Sequence, residues 1–169
     1  MEIKVLDIDP KDIDRKLLSL NAKKVFDEVR TITYFQNKQD NKEPFLKLTE
    51  EGDKLKLSSK VKELDPEIKL FVSRKAECLK LLATLKYLPI SRVKARRISY
   101  ELGSIDLDID EFPGIPPFLE IDMGANPPIT QEKLIVQLGV EKKKREDMTT
   151  PEIVNSYGKL YFEMYKISD

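Results

Sequence analysis

Lysines and carboxylates in this chain fall at every second position of short runs whose other positions are apolar. Lys4 alternates with Ile3 and Val5, Lys47 with Leu46 and Leu48, Lys56 and Ser58 with Leu55 and Leu57, and Lys69 with Ile68 and Leu70. Lys60 continues the same parity. Asp106, Asp108 and Asp110 alternate with Ile105, Leu107 and Ile109, and Glu120 and Asp122 with Leu119 and Ile121. Successive strand side chains point to opposite faces, so each run carries one apolar and one charged face. The signs are segregated, with lysine dominant in the middle runs and carboxylate in the last two. A lysine wall binds a polyphosphate through charge-assisted hydrogen bonds. A carboxylate wall holds Mg2+ or Mn2+ through oxygen ligands, and such an ion polarises a phosphoryl group or activates water. The plainer alternative is a one-sided antiparallel sheet that shows its polar face to water. Segregated signs, and enough strands to close a barrel, favour a polar interior instead. In the run from Arg92, Lys94 and Arg96 share its parity, while Arg97 takes the other.

The missing residue types narrow the chemistry further. There is no histidine, which removes His-based nucleophile activation and His-ligated zinc. The one cysteine, Cys78, sits in an apolar helical pattern and reads as core; it leaves no disulfide and no CxxC site. Thirty basic and thirty acidic residues cancel, unlike the clear excess of base in a general nucleic-acid binder. No apolar run approaches the ~18 residues of a membrane span, and the strand-like start reads as no signal peptide. The expectation is a cytoplasmic protein without nucleic-acid or membrane partners.

The elements that must position these side chains follow from periodicity. Strands are predicted at 2–8, 23–36, 45–50, 54–60, 67–72, 90–102, 105–111 and 118–122, eight in all. Asp9-Pro10 starts a first helix with Ile13, Leu17, Leu18 and Leu20 as its apolar stripe. A second helix is predicted near 74–86, with Ser73 as cap and a stripe of Leu79, Leu82 and Leu85. Helices near 130–139 and 151–165 finish the chain. Glu51-Gly52-Asp53 reads as a hairpin turn. The run Glu141-Lys142-Lys143-Lys144-Arg145-Glu146-Asp147 reads as a solvated connector rather than a phosphate or membrane patch. The tyrosines at 34, 100, 157, 161 and 165 read as packing residues, and those of the tail fit docking on the body or a dimer contact.

The pattern repeats. Glu2-Ile3-Lys4, Leu17-Leu18 and Arg30-x-Ile32-x-Tyr34 return about 65 residues later as Glu67-Ile68-Lys69, Leu81-Leu82 and Arg96-x-Ile98-x-Tyr100. Two βαβ-like halves are implied. The expected fold is α+β: a closed or nearly closed antiparallel eight-stranded β-barrel, or tunnel, with helices packed outside. It is read as a single domain over 1–169, with a core at about 2–140 and a helical tail at 141–169.

On these residues the chain resembles the CYTH superfamily, the triphosphate tunnel metalloenzymes, and within it small prokaryotic class IV adenylyl cyclase-like proteins. The resemblance spans about residues 2–140. Its most specific part is Asp110, Gly114 and Phe118-Leu119-Glu120-Ile121-Asp122, which follow the family's Asp…Gly…Phe-x-Glu-Ile-Glu, with aspartate in the last place. The opening Glu-x-Glu-x-Lys is represented by Glu2-Ile3-Lys4. Lys47 and Thr49 stand where the family carries two arginines, Lys60 matches the lysine after the turn, and Arg97 and Tyr100 match the long-strand pair, with Ala95 in place of a frequent lysine.

The resemblance implies catalytic roles for Lys4, Lys60 and Arg97, phosphate binding by Lys4, Lys47, Lys60, Lys94 and Arg97, and Mg2+ or Mn2+ held by Glu2, Asp110, Glu120 and Asp122. The implied substrate is ATP, thiamine triphosphate or inorganic triphosphate, and the implied assembly a monomer or homodimer. Cyclisation has the ribose 3′-hydroxyl attack the α-phosphorus of ATP and expel pyrophosphate; hydrolysis has water attack the terminal phosphorus. From another class, a tunnel with Thr49, Ala95 and Lys69 in its lining could bind nucleotide or polyphosphate without turnover. A third reading is a purely structural role.

Overall fold

The computed structural model describes residues 2–37, 46–61, 64–148 and 150–157, with the side chains of 60–67, 151 and 155 outside that description. Nine strands and four helices follow in the order β1 (Glu2–Leu6), α1 (Pro10–Ser19), β2 (Lys23–Asn37), β3 (Leu46–Glu51), β4 (Lys54–Val61), β5 (Leu64–Phe71), α2 (Lys75–Thr84), β6 (Tyr87–Leu102), β7 (Ile105–Glu111), β8 (Phe118–Asp122), α3 (Gln131–Gln137), β9 (Arg145–Glu146) and α4 (Thr150–Tyr157). The sheet order is β5-β4-β3-β2-β6-β7-β8-β1-β9, and the described pairings are antiparallel. The α+β class stands. Eight strands were expected and nine are found. The addition is β9, two residues in the stretch that composition assigns to a solvated connector. A pairing this short has no period to read. The order ends at β5 and β9, with no pairing between those two among the described residues.

The two repeated segments are β1-α1-β2 and β5-α2-β6, each with a ten-residue helix and a strand of 15 or 16 residues. Each is continued by two further strands, so the halves read βαβββ. Their first strands are exchanged: β1 pairs with β8 of the second half, and β5 pairs with β4 of the first. The chain accordingly divides into two compact units. One comprises Met1–Val29 with Ala95–Tyr157, and the other includes Arg30–Lys94.

In the first unit α1 begins on Asp9, whose carboxylate accepts from the Lys11 and Asp12 backbone N–H groups at 3.0 and 3.4 Å, with Pro10 in the first turn. Ile13 and Leu17 of α1 and Leu134 and Ile135 of α3 pack with Val5, Ile98, Leu107, Ile109, Leu119 and Ile121. That cluster is the apolar face expected of β1, β7 and β8. In the second unit Phe35, Leu48, Cys78 and Leu82 form the core, joined by Leu46, Leu55 and Leu57. The stripe of α2 is therefore Cys78 and Leu82. Leu79 and Leu85 are exposed, and the residue before the helix, Arg74, gives it no side-chain cap.

The third repeated motif does not superpose. Ile98 and Tyr100 lie in the first unit's core, whereas Ile32 and Tyr34 register with Thr49 and Lys47, away from the second unit's core. An offset of 66 is even, while the Glu-Ile-Lys pair repeats at an odd offset of 65; one residue of slip exchanges the two faces of a strand. The residue of β6 that shares the polar side is Arg97, not Arg96.

Candidate functional site

The first unit carries the polar site on the strand face opposite its core. Register sets the side chains in rows. Arg97 lies opposite Asp110, which lies opposite Phe118. Ser99, Asp108, Glu120, Lys4 and Glu146 form the next row, and Glu101, Asp106, Asp122 and Glu2 the third. Burial falls along the rows: Asp110 is fully buried, Asp108 partly buried and Asp106 exposed.

Arg97 is the hub. Its Nε donates to Asp110 Oδ1 at 2.8 Å and its Nη2 to Asp110 Oδ2, a two-point pairing; its Nη1 reaches Asp108, and Nη2 lies 3.4 Å from Glu120 Oε2. Lys4, 1% exposed, pairs with Glu2 and lies 3.6 Å from Glu120 Oε2. Burial alone opposes charge on Arg97, but Asp110, Asp108 and Glu120 overturn this and hold its pKa well above the ordinary arginine value. Burial pushes the Glu120 carboxyl up, and Arg97 and Lys4 only partly offset it. Four carboxylates (Glu2, Asp108, Asp110 and Glu120) thus face two cations within this cluster.

That surplus is the test of whether the group suits a divalent ion. Among the described residues no three acidic side chains are gathered into a ready metal cage. Lys4 and Arg97 stand among them. The donor set nevertheless fits: hard oxygen ligands, two negative charges beyond the resident cations, and in Glu120 a partly buried carboxylate whose two cations are both beyond 3.3 Å.

In the second unit Lys47 lies opposite Tyr34 on one side and Ser58 on the other, and Ser58 lies opposite Lys69. Thr49 follows on the same face, opposite Lys56. Lys60 belongs to β4, but its side chain lies outside the described residues. Lys94 is exposed and, by alternation along β6, falls on the side opposite buried Ser91 and Val93.

The structure thus brings Glu2, Lys4, Arg97, Asp110 and Glu120 into one network and sets Asp122 beside Glu2 on the neighbouring strand. Lys47 lies in the other unit. Asp108 was missed as a site residue, although its parity marked it. Glu146, in register with Lys4, carried no sequence signal.

Beneath the site, on the core side, Tyr100 donates its hydroxyl to Asp14, which also pairs with Lys24 at 2.7 Å. Arg96 holds Asp27 through two nitrogens at 2.9 and 3.1 Å. Tyr100 is pushed upward by burial and by Asp14, and so stays a hydroxyl donor.

No protein-family model matches the chain, and no curated protein matches it. Solved structures do. The PH1012 protein of Pyrococcus horikoshii is 23% identical, covering 90% of this chain and 99% of its own, with a TM-score of 0.73. A candidate adenylate cyclase from Vibrio parahaemolyticus superposes with a TM-score of 0.77 at 15% identity, over 92% of this chain and 97% of that one. A candidate adenylyl cyclase from Hippeastrum, described as having a dominant triphosphatase activity, gives 0.64 at 13% identity, over 96% and 99%. At these identities the likeness is one of fold, and it extends over nearly the whole chain.

Proposed function

We propose that the chain is a CYTH-type enzyme that processes a triphosphate with Mg2+ or Mn2+. The observation that carries this reading is the buried ion network of the first unit, in which Glu2, Asp108, Asp110 and Glu120 outnumber Lys4 and Arg97. Two likenesses of fold support it: both solved structures bear the name of a candidate cyclase, and one of them is described as having a dominant triphosphatase activity.

In this reading Glu2 and Glu120, with Asp122 beside them, would hold the divalent ion, which would supply Lewis-acid stabilisation of phosphoryl charge. Asp110 and Asp108 fix the guanidinium of Arg97, so that its position is set before substrate arrives. Lys4 and Arg97 then neutralise the negative charge of the reacting phosphate. Lys47 and Lys60 are assigned to phosphate binding, and Lys60 to catalysis as well; Lys94, exposed on the face of β6 opposite Arg97, is withdrawn from the phosphate-binding set. Hydrolysis forms a bond from the water oxygen to the terminal phosphorus and breaks the bridging P–O bond, releasing orthophosphate. Cyclisation forms the 3′-oxygen to α-phosphorus bond and releases pyrophosphate. Both reactions draw on the same electrostatics. The protein is placed in the cytoplasm, as one domain; among the described residues no helix is long and apolar enough to cross a membrane.

The test is product analysis with inorganic triphosphate, thiamine triphosphate and ATP, each with Mg2+, Mn2+ or chelator. Metal-dependent orthophosphate marks a hydrolase, and cyclic AMP with pyrophosphate a cyclase. Binding without turnover under every condition returns the chain to the class of polyphosphate-binding modules.

A further inference from the structure

Two hydroxyls in the second unit are buried without a hydrogen-bond partner among the described residues. They belong to Thr49, which is 1% exposed, and Ser58, which is 2% exposed. An unpaired buried hydroxyl is unfavourable, and the great majority of such groups are satisfied. Both lie on the charged side of the sheet, opposite the Phe35–Leu48–Leu57 core. Ser58 stands between Lys47 and Lys69 in one cross-strand row, and Thr49, two residues beyond Lys47, stands beside Lys56 in the next. Thr49 and Ser58 are diagonal neighbours, roughly 5–8 Å apart by sheet geometry. A single group with several acceptor oxygens spans such a pair.

We propose that Thr49 and Ser58 are the hydroxyl donors of an oxyanion subsite, completed by Lys47, that binds a phosphoryl group of a condensed phosphate. This rests on the triphosphate reading above and names residues within it that carry no charge. The hydroxyls read phosphoryl oxygens by direction, while Lys47 supplies the charge. Thr49 occupies a place where the resembled family carries arginine, so the donor at this point is neutral rather than cationic.

The inference has an unusual signature, because the same groups are unpaired without ligand and used with it. Titration of the ligand-free protein with inorganic triphosphate in chelator measures the binding, and thermal unfolding without ligand measures the fold. Thr49→Val keeps the shape and removes the hydroxyl. It should leave the unfolding temperature unchanged or higher and weaken binding by roughly 10-fold or more. Ser58→Ala should weaken binding similarly, and Thr49→Ser should restore it. ATP should show the same losses as inorganic triphosphate, since phosphoryl oxygens are common to both. Wild-type affinity in both hydroxyl-free variants would overturn the subsite while leaving the triphosphate reading intact. So would a lowered unfolding temperature with unchanged affinity, or a loss confined to ATP. Failure of the wild-type protein to bind or turn over any triphosphate, with or without metal, would overturn the broader reading.

Discussion

Arg97 and Asp110 depend on each other. Asp110 is fully buried and met by two nitrogens of the guanidinium, so removing Arg97 leaves a buried carboxylate without its principal partner. Arg97→Met should destabilise the chain by about 3–5 kcal/mol in urea unfolding. Adding Asp110→Asn should recover part of that loss, because the stranded charge is gone; a strictly additive pair would show that the two are not coupled. Glu120 behaves oppositely. Burial raises its pKa, so the folded chain holds that proton more tightly than the unfolded chain. The favourable contribution is complete below the ordinary carboxyl range and is lost as pH rises through the raised folded value. Glu120→Gln should therefore gain stability relative to wild type on going from acid to neutral pH, and lose turnover on the order of 10²-fold. A urea midpoint difference independent of pH would contradict the first expectation. Asp14, lowered by its bonds to Lys24 and Tyr100, contributes stability above the ordinary carboxyl range that is lost on acidification.

At the scale of elements, two local devices set the site's strands. Asp9 caps α1, and Asp9→Ala should cost about 1 kcal/mol in thermal or urea unfolding. Gly124 follows β8 at a φ of +54°, where an added Cβ would lie 2.0 Å from the Ser104 carbonyl oxygen. Gly124→Ala should destabilise by more than about 1 kcal/mol, since backbone rather than a flexible side chain must yield; an unchanged unfolding midpoint would show that the turn relaxes freely. Strands with clean alternation were legible in the sequence: β7 and β8 lie within the predicted bounds, with Ile105, Leu107, Ile109, Leu119 and Ile121 in the core. Less legible were elements whose signal is weak or shared. Helix α2 has leucine on several sides, so periodicity drew Leu79 and Leu85 into the stripe although both are exposed, while Leu82 and Cys78, also read as buried, are in the core. Strand β9 exists through its pairing with Lys4 and Val5, a tertiary fact that two residues cannot announce.

At the scale of the whole chain, the duplication reads through both sequence and structure, but not in equal detail. The Glu-Ile-Lys repeat places Lys4 and Lys69 on equivalent polar faces, whereas the Arg-x-Ile-x-Tyr repeat is an even-offset coincidence that points Arg96 at Asp27 rather than into the site. The carboxylates of β7 and β8 were legible as a face. Their engagement by Arg97 was not, because strand parity assigns a side and not a partner. The exchange of first strands between halves brings Glu2 and Lys4, from the start of the chain, beside Glu120 and Asp122. The proposed chemistry depends on that exchange. The most direct measurement is turnover of inorganic triphosphate, thiamine triphosphate and ATP by the full chain with Mg2+, Mn2+ or chelator, with products identified by mass. Metal-dependent release of orthophosphate, or of pyrophosphate with cyclic AMP, abolished by chelator and lowered on the order of 10²-fold by Glu120→Gln, is the expected result. Turnover that survives both chelator and Glu120→Gln, or no turnover of any of the three, would contradict it.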